Sequence, residues 1–252
     1  MANRDLHGGL PGPQGGDIGG LLAEVLADMP DAQLHGLEGI ARLRDIARGG
    51  VVVAEGGRPD EIGYLIDGAL GMQKQLPDGR VHIIGLLVPT DMYGRLFDGL
   101  AAYDIVALTD ARVLAFPRDA FERILVSSPE IERRFLVNVL DELDSAREWI
   151  LLMGGHKIVE RLASFLLILL RRMLRGGRHR VPGAPIMVRI PIRRVDLAHC
   201  LGTTPESVSR ALPELEGQGL VRLRDAYDTE IADLPGLVRV SGADHLGAER
   251  AG

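Results

Sequence analysis

The sequence predicts an α+β protein: an N-terminal jelly roll (a double-stranded β-helix), a long dimerisation helix and a C-terminal winged helix-turn-helix. Three observations predict it. Short β-type runs separated by turn signals fill residues 49–116. Apolar heptads run through 129–154. Two short helical patterns flank the tight turn Gly202-Thr203-Thr204 within 193–218. The expected divisions are a disordered tail at 1–18, a sensor-like roll at 19–128, a dimerisation helix at 129–154 and a DNA-binding domain at 155–252.

The tail holds Gly8-Gly9, Pro11-Gly12-Pro13 and Gly15-Gly16, and has too little apolar surface to fold. Leu21, Leu22, Val25 and Leu26, then Leu34, Leu37 and Ile40, predict two short helices broken by glycine. Val51-Val52-Val53 and Tyr64-Leu65-Ile66 start the strands. The runs 69–75 and 81–87 flank Pro77-Asp78-Gly79, a hairpin turn in which glycine supplies the positive φ. Runs at 105–108 and 113–116 close the roll, and Pro117 opens a helix.

In the heptad stretch, Leu136, Leu143 and Ile150 occupy one repeat position, and Val139, Ala146 and Met153 the other. Flanking charges suit a two-stranded coiled coil, the alternative being a helix packed on its own roll. Gly154-Gly155 forms the hinge, followed by an apolar helix over 158–174, a strand over 186–192 and a hairpin over 220–232.

Within the helix-turn-helix, Val195, Leu197, Ala198 and Leu201 form the apolar face of the first helix, and Val208, Ala211, Leu212 and Leu215 that of the second. Glu206, Ser209 and Arg210 stand at i, i+3 and i+4, sharing one outward face near the second helix's N-terminus. Thr204, Ser207 and Arg193 complete the expected DNA-facing set. Pro213 is expected to end or kink this helix, because its ring opposes the carbonyl of Ser209. The alternative is a helical hairpin with a solvated polar face.

Charge distribution favours the DNA reading. The net charge is −6, yet residues 156–224 hold 13 Lys/Arg against 5 Asp/Glu, and the remainder 16 against 30. A basic block around the helix-turn-helix points to a polyanionic partner. The single cysteine, Cys200, rules out an intrachain disulfide and a cysteine-based metal cluster. Residues 1–20 lack the apolar core of a signal peptide, and the apolar run 162–170 is too short to span a bilayer. The expected location is cytoplasmic, without membrane contact.

In this order, and with YLIDGAL, PDGRVHIIGL, ELDSAREW and ERLASFLL in place, the chain resembles the CRP/FNR family of transcription regulators. Glu206-Ser207-Val208-Ser209-Arg210 is similar to the E-x-x-S-R reading motif of the FNR-like branch of the FnrL/FixK kind. That resemblance implies a homodimer on a TTGA-type inverted repeat, with RNA polymerase as a further partner and no enzymatic activity. Pro205 stands where the cAMP-receptor branch has arginine, and Ser209 where it has glycine.

The sensory end departs from the family. Oxygen-sensing relatives use four cysteines for a [4Fe–4S] cluster; here Leu114 stands about where the roll cysteine would be, so the cluster is excluded. The cyclic-nucleotide pocket uses Gly-Glu-Leu and an Arg before Ser or Thr. This chain has Gly94-Arg95-Leu96 and Ala107-Leu108-Thr109-Asp110, which disfavours cAMP. Arg95 reads as a loop charge or as a site for another anion. Haem stays open, with His82 the one histidine placed for it, although a lone strand histidine is ordinarily structural. A cupin-type metal enzyme needs more ligands than His82 offers, so no metal site is expected. Cys200, beside His199 in the first helix of the motif, is either a redox switch or a small buried hydrophobe.

Overall fold

The computed structural model describes residues 18–26, 31–154, 157–175 and 184–242. The expected tail lies outside the described residues except for Ile18, as do Gly155 of the hinge and the loop at 176–183. Two helices, α1 (Ile18–Val25) and α2 (Asp31–Glu38), precede the roll. Its strands are β1 (Arg42–Ile46), β2 (Val51–Val53), β3 (Glu61–Asp67), β4 (Leu70–Gln75), β5 (Val81–Leu87), β6 (Met92–Tyr93), β7 (Asp104–Ala107) and β8 (Ala111–Pro117). They pair into two antiparallel sheets, ordered β1-β8-β3-β6 and β2-β7-β4-β5.

Alternation sets which side chains fill the space between the sheets. Val53, Leu65, Leu70, Ile105 and Val113 form that inner core. The opposite face of β3 and β8 carries Ile62, Tyr64, Leu114 and Phe116, which α1, α2 and the helix α3 (Arg118–Ser127) cover. Phe116 lies 5.3 Å from Phe121 of α3 and 6.4 Å from Tyr64, ring centre to ring centre. Leu114 is fully buried, opposite Leu43 and Tyr64. The β4–β5 hairpin turns as its sequence demands: Gly79 has φ +84°, and its N–H donates to Leu76 O at 2.9 Å.

Helix α4 (Pro129–Met153) follows, begun by Ser128, whose hydroxyl accepts from Ile131 N–H, and by Pro129 in the first turn. It leads to α5 (Ile158–Arg175), whose Leu162, Phe165 and Leu166 are fully buried. Burial of that order contributes roughly 1.5–3 kcal/mol per side chain. No helix among the described residues is long and apolar enough to cross a membrane.

The C-terminal domain comprises β9 (Ile186–Arg189), α6 (Arg194–Cys200), α7 (Pro205–Gly217), β10 (Val221–Leu223), β11 (Asp228–Ile231) and α8 (Leu234–Ser241). Its sheet order is β10-β11-β9, so the chain returns from the helix-turn-helix through a winged hairpin. Helix α7 does not end at Pro213, as one form of the expectation had it, but runs on to Gly217. The proline removes only the N–H that would reach Ser209. Meanwhile Leu212 and Leu215 are buried, and Gln218 N–H still bonds Glu214 O at 3.1 Å. Packing on both sides outweighs one lost bond.

Roll and C-terminal domain share a core. Ala69, Ile83, Leu86 and Leu108 of the roll cluster with Trp149, Phe165, Leu197 and Leu201. Buried Glu148 on α4 pairs with Arg171 on α5 at 2.6 Å, and Arg172 reaches Asp91 at 3.1 Å. These ties fix the reading head against the roll.

Candidate nucleic-acid interface

The reading surface is built on α6 and α7. Leu197, Ala198 and Leu201 on one side, and Val208, Ala211, Leu212 and Leu215 on the other, are at most 2 % exposed, which locks the two helices, whereas Val195, expected on the same face, is 43 % exposed. The turn closes through Thr203 N–H to Ala198 O at 2.9 Å. Gly202 takes φ +60° there, a conformation that disfavours a side chain. Thr204 caps α7: its Oγ1 accepts from Ser207 N–H at 3.3 Å and lies 3.2 Å from the Ser207 hydroxyl.

That cap fixes where the next residues point. Glu206, Ser209 and Arg210 are all exposed, brought together on one face of the first two turns. The backbone N–H of Glu206, then the Thr204 hydroxyl and the Arg210 charge, hold the Glu206 carboxyl below its usual range. It is therefore an ionised, acceptor-only group at neutral pH. Arg210 Nε makes only a long 3.4 Å bond to Glu206 O, leaving its guanidinium close to the carboxylate but loosely held. Such a face offers a bidentate donor and an acceptor side by side, the pair of groups that distinguishes guanine O6/N7 and cytosine N4. Thr204 is exposed and Ser207 half-buried, both engaged in the cap.

Arg193 stands apart from this face. It is exposed at the N-cap of α6, and its Nε bonds Asp196 at 3.1 Å. The wing adds cations not singled out by sequence. Arg222 Nη1 reaches Glu230 at 2.9 Å, Arg224 also pairs with Glu230, and Arg189 lies 5.5 Å from the Tyr227 ring centre. The alternating Arg-Leu-Arg at 222–224 is the signal that marks them, but Glu230 neutralises part of their charge.

Cys200 does not fit the role of a redox switch. It is 1 % exposed, and burial pushes its thiol pKa up, so the reactive thiolate is disfavoured. It packs as a small hydrophobe. His82 is half-buried on β5, opposite Lys74, and no group of three or more His, Cys, Asp and Glu gathers among the described residues.

The heptad side chains turn away from the roll. Leu136, Val139, Leu143, Ile150 and Met153 are between 37 and 72 % exposed, and Ala146 is exposed with them. Packing on the same chain's roll falls instead to Ile131, Trp149 and Leu152. At the roll tip, Gly94 has φ +104°, Arg95 is exposed, and Ala107 and Leu108 are buried and apolar. Position 95 carries a guanidinium in place of a carboxylate acceptor, and 107–110 carry no guanidinium.

Comparison with known proteins agrees with this arrangement. Residues 43–128 match the cyclic nucleotide-binding domain model, and residues 160–240 the Crp-like helix-turn-helix model. The transcriptional activator protein FnrL of Cereibacter sphaeroides is 33 % identical over 223 residues, covering 88 % of this chain and 90 % of the relative. The nitrogen fixation regulation protein FixK of Bradyrhizobium diazoefficiens is 30 % identical, covering 79 % of this chain and 82 % of the relative. The structure of FixK2 from Bradyrhizobium japonicum superposes with TM-score 0.70 at 26 % identity, over 80 % of this chain and 97 % of that one. A reading helix capped at Thr204, a roll of eight strands and relatives of this closeness lead to one conclusion: the chain belongs to the CRP/FNR family of transcription regulators and is not an enzyme.

Proposed function

We propose that the protein is a homodimeric transcription activator that reads an inverted repeat of TTGA-type half-sites about one helical turn (~10 bp) apart. The observation that carries this reading is the exposed Glu206–Ser209–Arg210 face on α7. Arg210 contacts guanine, Glu206 accepts from cytosine, and Ser209 contacts a base or phosphate. Thr204, Ser207 and Arg193 hold the backbone. The exposed stripe of α4 supports dimerisation, because nothing else in the described chain covers it and a two-fold site needs a two-fold reader. The names of FnrL and FixK support activation, which implies contact with RNA polymerase, in the cytoplasm where DNA is found.

DNA binding proceeds without an Fe–S cluster or cAMP. One buried cysteine cannot supply four thiolates, and Arg95 stands in the wrong place for a cyclic nucleotide. A second reading, binding gated by haem or a small effector in the sensor domain, is favoured by a cavity between the roll and α4. Titrating purified, colourless protein onto a TTGAT-N4-ATCAA duplex separates the two. Tight binding without additions supports the first. Binding only after haem or an effector is added supports the second, and no preference for the palindrome overturns both.

A further inference from the structure

The wing sets one buried carboxylate beneath two exposed guanidinium groups. Strand β11 is the middle of its three-stranded sheet, and Glu230 on it stands between Arg222 of β10 and Met187 of β9. Val221, Thr229 and Ile231 turn inward and are buried, so Arg222 and Glu230 share the outer face. There Glu230 Oε1 accepts from Arg222 Nη1 at 2.9 Å, and Oε2 accepts from Arg224 Nη2. The Glu230 side chain is 8 % exposed, against 63 % for Arg222 and 52 % for Arg224. The hydrogen bond from Arg224 lowers the pKa of Glu230, so it is ionised at neutral pH.

Cross-strand pairing alone does not call for this arrangement. Burying a carboxylate costs free energy that an ion pair offsets only in part, and a β-branched residue opposite Met187 would suit the sheet better. What the carboxylate supplies is direction. Each guanidinium carries five N–H donors in a rigid fork, so an edge held by Glu230 leaves another edge for a phosphate oxygen. The frame around the two arginines is stiff. Leu223, between them, donates its N–H to Glu216 Oε1 of α7 at 2.8 Å, which sets the wing's register on the reading helix. Asp225 Oδ1 accepts from the N–H groups of Tyr227 and Asp228, each at 2.7 Å, and closes the wing turn. Ile190 N–H donates to Tyr227 O at 2.8 Å, so that turn lies beside the end of β9, just before the chain enters α6 at Arg193.

We propose that Glu230 is a positioning residue of the DNA-reading head: it aims Arg222 and Arg224 at phosphates next to the half-site that α7 reads. The inference rests on the DNA-reading proposal, though not on the identity of the half-site. Glu230 acts through the two arginines and makes no contact with DNA itself.

Fluorescence anisotropy of the full-length protein on TTGAT-N4-ATCAA and on a random duplex, each over a range of salt concentrations, tests it. A guanidinium–phosphate contact contributes about 0.9 to the slope of log affinity against log salt. Arg222→Gln and Arg224→Gln should therefore each flatten that slope by about 2 per dimer, on both duplexes. Glu230→Gln adds positive charge, yet it should also flatten the slope and should weaken both duplexes about tenfold. In a protein already carrying Arg222→Gln and Arg224→Gln, it should change neither quantity. Tighter binding with a steeper slope for Glu230→Gln would show that the carboxylate only neutralises the wing, and overturns the proposal. An unchanged slope, whatever the thermal midpoint, would leave it a hairpin pair and overturns the proposal too, as do unchanged slopes for the arginine variants. A parent protein without preference for the palindrome sinks the half-site reading alone, because the slopes on random duplex still decide the role of Glu230. A parent that binds neither duplex overturns both.

Discussion

At the scale of single residues, the reading face depends on chemistry that the chain has already prepared. The backbone N–H of Glu206 and then the Thr204 hydroxyl lower the pKa of the Glu206 carboxyl, so at neutral pH it is ionised and can only accept. Arg210 is exposed and weakly tethered, so its fork loses little on turning to a guanine. Removing either should therefore act on specificity more than on grip. Glu206→Ala or Arg210→Ala should lose on the order of 1–3 kcal/mol on the palindrome and almost nothing on random duplex, as measured by competition titration. Cys200 makes the converse point. At 1 % exposure it should stay unreactive to Ellman's reagent until the domain unfolds, and diamide should leave DNA affinity unchanged. Its position beside His199 was visible in the sequence. Its burial was not, because a seven-residue helix does not reveal which face its neighbours cover.

At the scale of elements, α4 carries the largest consequence. Its stripe of Leu136, Val139, Leu143, Ile150 and Met153 is legible as a heptad in sequence and stands uncovered in the structure. A double substitution Leu136→Asp and Leu143→Asp should give a folded monomer in sedimentation velocity. These side chains are 54 % and 45 % exposed in the single chain, so its own fold does not require them. Elements with strong periodicity or turn chemistry were legible for the same reason: β4 and β5 around Gly79, α5 with its apolar run, and α7 with its cap. Strand β1, Arg-Leu-Arg-Asp-Ile, escaped notice because an edge strand is charged and shows no clean alternation. Strand β6 has two residues, too few for any pattern. Helix α8 was missed although its start and stop signals are local: Asp233 caps it, Pro235 sits in the first turn, and Gly242 ends it at φ +65°. Pro213 does not stop α7, where buried Leu212 and Leu215 hold the helix on either side of it.

At the scale of the whole molecule, α4 and the helix-turn-helix are one mechanical unit. Met153 at the end of α4 meets the turn between α6 and α7, because a Cβ added to Gly202 would stand 2.9 Å from its Cε. Arg161 Nη1 donates to Leu201 O at 2.8 Å in the same turn. Gly202→Ala should lower stability by about 1 kcal/mol from the positive φ alone, with a thermal midpoint roughly 2–4 °C lower. None of this coupling is readable from motifs, since it joins residues about 50 positions apart. The central claim is that the coupled dimer reads the G·C pair of TTGA through Arg210. Fluorescence anisotropy on TTGAT-N4-ATCAA and on the duplex with that pair changed to A·T, for the parent protein and Arg210→Ala, tests it most directly. The parent should lose roughly 10- to 100-fold on the changed duplex, and Arg210→Ala should bind the two alike. Equal binding of both duplexes by the parent protein would contradict it.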